Sequence, residues 1–489
     1  MGSSDCGLAK RPRPSQARIP ADRGLLLPIR NGEHVSCPLV PTFLILGFFV
    51  TSAVVPRPAC GEDAVVVATA AALPIRGGEL EIDKFLSKPE PEFAWKVMEE
   101  RAIAGGKVMH VSLTSQRWQD ILWQHAMMVY EPPKVAHENQ MLVFVTGGAI
   151  GRMPGGKDIE MGMAMANLCG ARVAVLHQVP NQPLMGGRVE DDLITETWLK
   201  YLESGDASWP LLFPMVKSAV KAMDALEQLA HSRQWAKPDG FVVSGASKRG
   251  WTSWLTAATD PRIKATAPMV IDMLNFNKQI PHQYEYWGKP SEQIIDYTSK
   301  GLVREDGKPR PGLETTLWEM MDPFNYRQRV TMPKLLIVGA SDRYWTTDAM
   351  NLYWDELPGD KFIFRGANAG HGLEGRRDEA LSTLGVFFRH VANGKMLPAL
   401  DWTPEMKADS IGVAVASDKV PTAAKLWVAI SPTLDFRESL WESQPMNQVD
   451  QAWIGKQKIE NGNHVAVFAE LMYEYEGIPY YLSTLAYCQ

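Results

Sequence analysis

The stretch Gly240-Phe-Val-Val-Ser-Gly-Ala-Ser-Lys-Arg-Gly-Trp-Thr-Ser-Trp254 constrains this chain more than any other. Phe241 to Val243 is an apolar run that reads as a short buried strand. Small residues, Ser244-Gly245-Ala246-Ser247, then permit a tight turn, and Lys248 to Ala258 has helical composition. A serine hydroxyl is a poor nucleophile, so a chain that uses one holds it exposed at a strand end, beside a base. The helix start just beyond it offers N–H groups and a positive dipole end where an oxyanion can form. Strand, sharp turn with serine at the apex, then helix is the nucleophile-elbow arrangement. The usual G-x-S-x-G spacing is not intact. Gly245 fills the first glycine, Arg249 occupies the second, and Gly250 falls one place later. A glycine-softened turn without chemistry is the bland alternative, and the context decides between them.

A chain of 489 residues has room for one large catalytic domain and a smaller companion. Hydrophobic content of 45% and charged content of 22% are those of a globular protein. The formal charge of −6 argues against nucleic acid as a partner. Cys6, Cys37, Cys60, Cys169 and Cys488 make no metal or redox spacing. Cys169 and Cys488 belong to the folded part, as a pair or as free thiols.

Residues 1–78 read as a basic leader, a signal or anchor segment and a linker. The apolar run Leu39 to Val55 follows a positive segment, as in a secretory signal. Retention as a membrane anchor is the alternative, weakened by Pro41 and Gly47 inside the run. The expected destination is secreted or periplasmic.

From residue 79 to 399 the pattern is that of an α/β domain. A short helix opens at Leu80, and Val108 to Gln116 and Trp118 to Val129 read as strands. Gln140 to Thr146, Arg172 to His177, Phe241 to Val243, Ile263 to Ile271 and Lys334 to Val338 are apolar runs of parallel-sheet character. Amphipathic helices alternate with them; in Phe213 to His231, Met215, Ala219, Met223, Leu226 and Leu229 form one core stripe. The expectation is a doubly wound, mostly parallel sheet, with function at the carboxyl ends of its strands. Gly147-Gly148, Ser247 and Asp272 all stand there. Residues 275–329 interrupt the alternation with aromatic and polar residues, and read as a lid or substrate wall over the serine. From 400 to 489 short alternating strands suggest a small sandwich-like all-β module.

Lys334 to Gly339 ends near Asp342, and Lys361 to Arg365 is followed by Asn368-Ala-Gly-His371-Gly. Ser247, Asp342 and His371 thus fall in the order expected of an α/β-hydrolase, each just past a strand. Asp348 is the alternative acid. His390 sits inside the helix Glu379 to Val391 and reads as structural, while His282 belongs to the insertion and precedes the acid. The oxyanion donors expected are the N–H of Lys248 and that of Gly148 or Ala149. The Lys248 and Arg249 side chains either favour a carboxylate-bearing substrate or are surface charge at a helix start.

These residues together resemble the PhoPQ-activated pathogenicity-related proteins, a set that includes an autocrine proliferation repressor. The likeness rests on Thr114-Ser-Gln-Arg-Trp118, Trp123-Gln-His125, Thr146-Gly-Gly148, Val179-Pro-Asn-Gln-Pro-Leu184, Met215 to Leu226, Gly245-Ala-Ser-Lys-Arg-Gly-Trp251, Asp322-Pro-Phe-Asn-Tyr326 and Asn368-Ala-Gly-His371. The resemblance implies an α/β-hydrolase fold, a C-terminal β-rich extension and export, and no particular substrate. The elbow alone also looks like that of glucuronoyl esterases. The expected activity is a serine hydrolase acting on a small-molecule or polymer ester, less readily on an amide, with no metal or cofactor. A secreted signalling or binding protein on the same scaffold is the alternative.

Overall fold

The computed structural model describes residues 80–489; the leader, signal or anchor, and linker readings lie outside the described residues. No helix among the described residues is long and apolar enough to cross a membrane.

After a short helix α1 (Glu81–Ser87), three strands form an antiparallel meander: β1 (Ala94–Ile103), β2 (Gly106–Trp118) and β3 (Ile121–Glu131). The apolar pattern predicts a strand from Trp118. It begins instead at Ile121, because Gln119 and Asp120 both take positive φ and close a two-residue hairpin. Strand β1 went unread because it is largely exposed and carries Glu99, Glu100 and Arg101, so no apolar alternation marks it.

The alternating part follows: β4 (Gln140–Val145), α2 (Gly156–Cys169), β5 (Val173–Leu176), α3 (Glu190–Ser204), α4 (Leu212–Ser232), β6 (Gly240–Ala246), α5 (Lys248–Thr259) and β7 (Ile263–Met269). Helices α6 (Phe276–Trp287), α7 (Ile295–Thr298) and α8 (Leu313–Met321) intervene before β8 (Lys334–Gly339), β9 (Lys361–Gly366) and α9 (Arg377–Ala392). The nine strands make one sheet in the order β1-β2-β3-β5-β4-β6-β7-β8-β9, parallel from β5 to β9. This mostly parallel sheet, with the β4/β5 exchange and a serine turn after β6, is the α/β-hydrolase fold.

Burial on both faces explains the continuous apolar runs. In β8, Leu336 and Val338 enter the core shared with α4 and α5, while Leu335 and Ile337 enter the core shared with α2 and α9. The α4 stripe lies wholly in the first core, each member at most 1% exposed.

Beyond α9 the chain is antiparallel. Strands β10 (Leu400–Lys407), β11 (Ser410–Ser417), β14 (Asn447–Val449) and β15 (Ala452–Lys458) form one sheet. Strands β12 (Ala423–Ser431), β13 (Glu442–Pro445), β16 (His464–Tyr475), β17 (Ile478–Ser483) and β18 (Tyr487–Cys488) form the other. Their apolar residues are shared with the parallel-sheet part: a small cluster around Phe436, Trp441 and Phe468 takes in Ala340 and Ala367. Ile411, Val413, Leu426 and Leu482 join the cluster that holds Ile337, Phe364, Leu384 and Phe387. Polar bonds cross the same boundary: the Arg365 N–H donates to Ser483 Oγ, and Arg376 pairs with Glu470. Cys169 and Cys488 are both free thiols.

A chain ending at residue 399 therefore leaves one side of β9 and α9 bare. It is expected to lose its cooperative thermal transition and to aggregate, as read by near-ultraviolet circular dichroism and gel filtration. A monodisperse, cooperatively melting truncation would show that the two parts fold independently.

Candidate active site

Strand β6 is fully buried until its last residue, and Ser247 follows at φ 57°, ψ −126°. A non-glycine residue in that region costs on the order of 1–3 kcal/mol and persists only where its surroundings impose it. Here the imposing contacts are visible. The Ser247 N–H donates to Met269 O at 2.8 Å, which ties the turn to β7. A Cβ on Gly245 would stand 2.8 Å from both Arg249 O and Val145 O; one on Gly250 would stand 2.9 Å from both Gly245 O and Met269 O. The glycine one place later than the usual spacing thus does the same work. Both bare positions let α5 lie directly on β4, β6 and β7.

Lys248 and Arg249 are neither surface charge nor free cations. Each is less than a tenth exposed. Lys248 Nζ lies 2.8 Å from Glu190 and 3.4 Å from Asp191, while the Arg249 guanidinium holds Glu190 through two 2.8 Å bonds. Arg249 Nε also donates to Val179 O at 2.6 Å. Burial pushes the Glu190 carboxyl's pKa up, but Arg249 and then Lys248 outweigh it and hold the group well below the usual carboxylate range. The Val179 to Leu184 motif serves this clamp: Gln182 bonds Glu190, and Asn181 exchanges hydrogen bonds with the Gln124 backbone. Glu190 and Asp191 were not marked by the sequence, since two acids at a helix start read as dipole complements.

His371 lies in the loop after β9, and its Nδ1 is 2.8 Å from Asp342 Oδ2. An ionised carboxylate only accepts, so Nδ1 carries the proton. The other oxygen, Oδ1, accepts from the Tyr344 N–H at 3.0 Å. Nε2 of His371 is buried and has no hydrogen-bond partner among the described residues. The Tyr344 ring covers the imidazole, centroids 4.3 Å apart. Gly339, which ends β8, is needed where the two loops meet: a Cβ there would come 2.4 Å from Ala369 O. Ser341 N–H donates to that same carbonyl at 2.9 Å. Asn368, at φ 58°, exchanges two hydrogen bonds with the Trp441 backbone, so the C-terminal strands hold the histidine loop from behind.

Asp348 does not face His371. Its oxygens take His282 Nε2 at 2.8 Å and the Tyr286 hydroxyl at 2.6 Å, both from α6. The insertion is fastened to the acid loop at further points. Gln283 Nε2 donates to Tyr344 O at 3.0 Å, and Ser291 Oγ donates to Arg343 O at 2.7 Å. It is a fixed wall. Asp272 ends buried beneath this loop, accepting from the Tyr353 hydroxyl at 2.6 Å. Burial pushes its carboxyl up to about 6, against the pull of Arg365 and Tyr353. His390 is bonded inside its own helix, Nδ1 to Val386 O.

Ser247 opens onto a cleft of about 740 Å³, solvent at its mouth included. Lys248 lines it, as do Trp251 of α5, Trp198 of α3, Tyr344 and much of the insertion. Gly148 and Ala149 do not; they follow β4, where Gly147 packs against the Arg249 guanidinium. Among the described residues, no group of three or more His, Cys, Asp or Glu side chains is placed to hold a metal ion.

The family model for PhoPQ-activated pathogenicity-related protein matches residues 82–437. The chain belongs to that family. The matched stretch contains the elbow, the acid and histidine loops and the first strands of both C-terminal sheets. Autocrine proliferation repressor protein A of Dictyostelium discoideum is 28% identical over 380 residues, covering 73% of this chain and 75% of that protein. Among solved structures, an acetyl xylan esterase from a Thermoanaerobacterium species is 15% identical, covers 64% of this chain and 92% of its own, and has a TM-score of 0.45. Another, from a Paenibacillus species, is 14% identical over 64% of this chain and 96% of its own, at a TM-score of 0.46.

Two outcomes follow from these contacts. Gly250→Ala is expected to destabilise the protein by about 1–3 kcal/mol, measured by urea denaturation, because backbone carbonyls cannot move aside. His282 is driven down in pKa by burial, but its bond to Asp348 outweighs this and leaves it raised above 6.5. The pair's charge-dependent stabilisation is then full below that ordinary value and fades as pH rises through the folded one. The stability difference between wild type and His282→Gln is expected to be larger at about pH 5.5 than at about pH 8.5. An equal difference would mean that only the neutral hydrogen bond matters.

Proposed function

We propose that this protein is a serine hydrolase that cleaves an ester through an acyl-enzyme, with Ser247, His371 and Asp342 as its working residues. The observation that carries the reading is the His371–Asp342 pair: one ring nitrogen is committed to a carboxylate, and the other is unpartnered, with a serine held at a strained elbow in the same fold. In this mechanism His371 Nε2 takes the Ser247 proton as Oγ bonds to the ester carbonyl carbon. The carbonyl electrons move to oxygen, where the Lys248 N–H at the start of α5 stabilises the charge; Gly148 and Ala149, which stand off the cleft, are assigned no part in it. Collapse breaks the bond to the alcohol, which leaves with the proton from His371. Water then repeats the sequence, releasing the acid and restoring Ser247. Asp342 keeps the proton on Nδ1 and stabilises the imidazolium, and Tyr344 N–H fixes the carboxylate. Asp348 has a different role, bracing the insertion.

A binding or signalling role is the second reading, suggested by the name of the Dictyostelium relative, which describes repression of proliferation. A fluorophosphonate probe separates the two. Wild type is expected to be labelled at Ser247, with labelling lost in Ser247→Ala and strongly slowed in His371→Ala. Asp342→Asn is expected to lower ester turnover by about four orders of magnitude, and Asp348→Asn by far less. Folded wild type that neither labels nor turns over esters would favour the binding reading.

A further inference from the structure

We propose that the ester this site takes is uncharged and carries an aromatic ring, seated against a wall of rings beside Ser247; this rests on the serine-hydrolase reading above. The wall is continuous. Tyr297, Trp198, Trp251, Phe276 and Trp318 follow one another edge to face, with successive centroids 5.3, 6.0, 5.8 and 5.7 Å apart. All five line the cleft that Ser247 opens onto. They come from five different helices, α7, α3, α5, α6 and α8. Nothing in local sequence would gather them, so the fold builds this surface.

Phe276 is the half-buried member, while Trp198, Trp251, Trp318 and Tyr297 are 2–8% exposed and anchored in the core, so the wall is rigid. It is preformed: Trp251 Nε1 donates to Met321 O at 2.6 Å, and Asp322 accepts from the Asn275, Phe276 and Phe324 N–H groups, fixing the segments that carry Phe276 and Trp318. Successive ring planes turn by 72–90°, the edge-to-face packing that a further aromatic ring beside Phe276 would continue. Such pairs add attraction beyond what burial of equal apolar area gives.

Charge at the mouth argues the rest. The Lys248 and Arg249 cations are already matched to Glu190 and Asp191, and Asp191 itself lines the cleft. A substrate carboxylate would find no unmatched cation there and one carboxylate nearby. The site therefore disfavours an anionic ester, although two cations adjoin the serine.

The test pairs substrates matched in size. For wild type, kcat/KM is measured for methyl 3-phenylpropionate against methyl nonanoate, and for benzyl acetate against heptyl acetate, each pair equal in carbon count. Monomethyl adipate supplies the anionic member. The aryl ester of at least one pair is expected to lead by about three- to tenfold, with the anionic ester slowest. Phe276→Leu and Trp318→Leu, which keep apolar bulk but remove a ring, are expected to cut that lead severalfold. 2-Phenylethylboronic acid is likewise expected to inhibit more tightly than octylboronic acid, an alkylboronic acid of equal carbon count, and this needs no variant to fold. If Ser247 reacts with the probe and esters are cleaved, but the aryl and alkyl members are equal or the anionic one leads, the substrate class is wrong and the hydrolase reading stands. If Ser247 neither labels nor cleaves any ester, both fall.

Discussion

The structure depends on one close approach, that of the α5 backbone to the ends of β4, β6 and β7. It exists only because Gly245 and Gly250 have no side chains, each facing carbonyl oxygens at distances no Cβ tolerates. Given that approach, Ser247 must turn through positive φ, with its N–H on Met269 O. The cost of that conformation is met by the burial of α5, whose residues from Lys248 to Thr259 are all buried. The Arg249 side chain is directed inward by the same geometry, which is why a bidentate carboxylate, Glu190, stands opposite it. An unmatched guanidinium there would be prohibitive.

Around this fixed turn the other groups come from far along the chain and have to be braced. Asp342 and His371 sit on separate loops that are joined backbone to backbone through Ser341 and Ala369. The insertion holds the acid loop from one side through Gln283, Ser291, His282 and Tyr286. The C-terminal strands hold the histidine loop from the other through Asn368 and Trp441. Catalytic geometry tolerates errors of only about half an ångström, and loops alone do not supply that rigidity. The two additions to the sheet thus act as supports for two loops.

Much of this was legible in the residues. Buried parallel strands announce themselves because both faces need apolar side chains, as Leu335 to Val338 do. Amphipathic α4 was equally plain. What escaped was governed by contacts rather than by pattern. Strand β1 is a mostly exposed edge whose charges hide its period. The hairpin at Gln119-Asp120 lacks glycine, so its turn residues gave no signal. Asp342 and Asp348 are six positions apart in one loop, and sequence spacing could not say which reaches His371. Lys248 and Arg249 looked like cations available to a substrate or to solvent, because their partners lie some sixty residues earlier.

The sequence by itself determined the order of the buried parallel strands and the amphipathic helices between them, the serine turn and the identity of the acid and base candidates. Those follow from local needs: apolar periodicity, small residues at a tight turn, polar residues at strand ends. Only the tertiary structure decided which acid faces the histidine, that the elbow's cations are neutralised, and that five rings from five helices share one wall. Each of these is a meeting of side chains distant in sequence, settled by packing and charge matching in three dimensions.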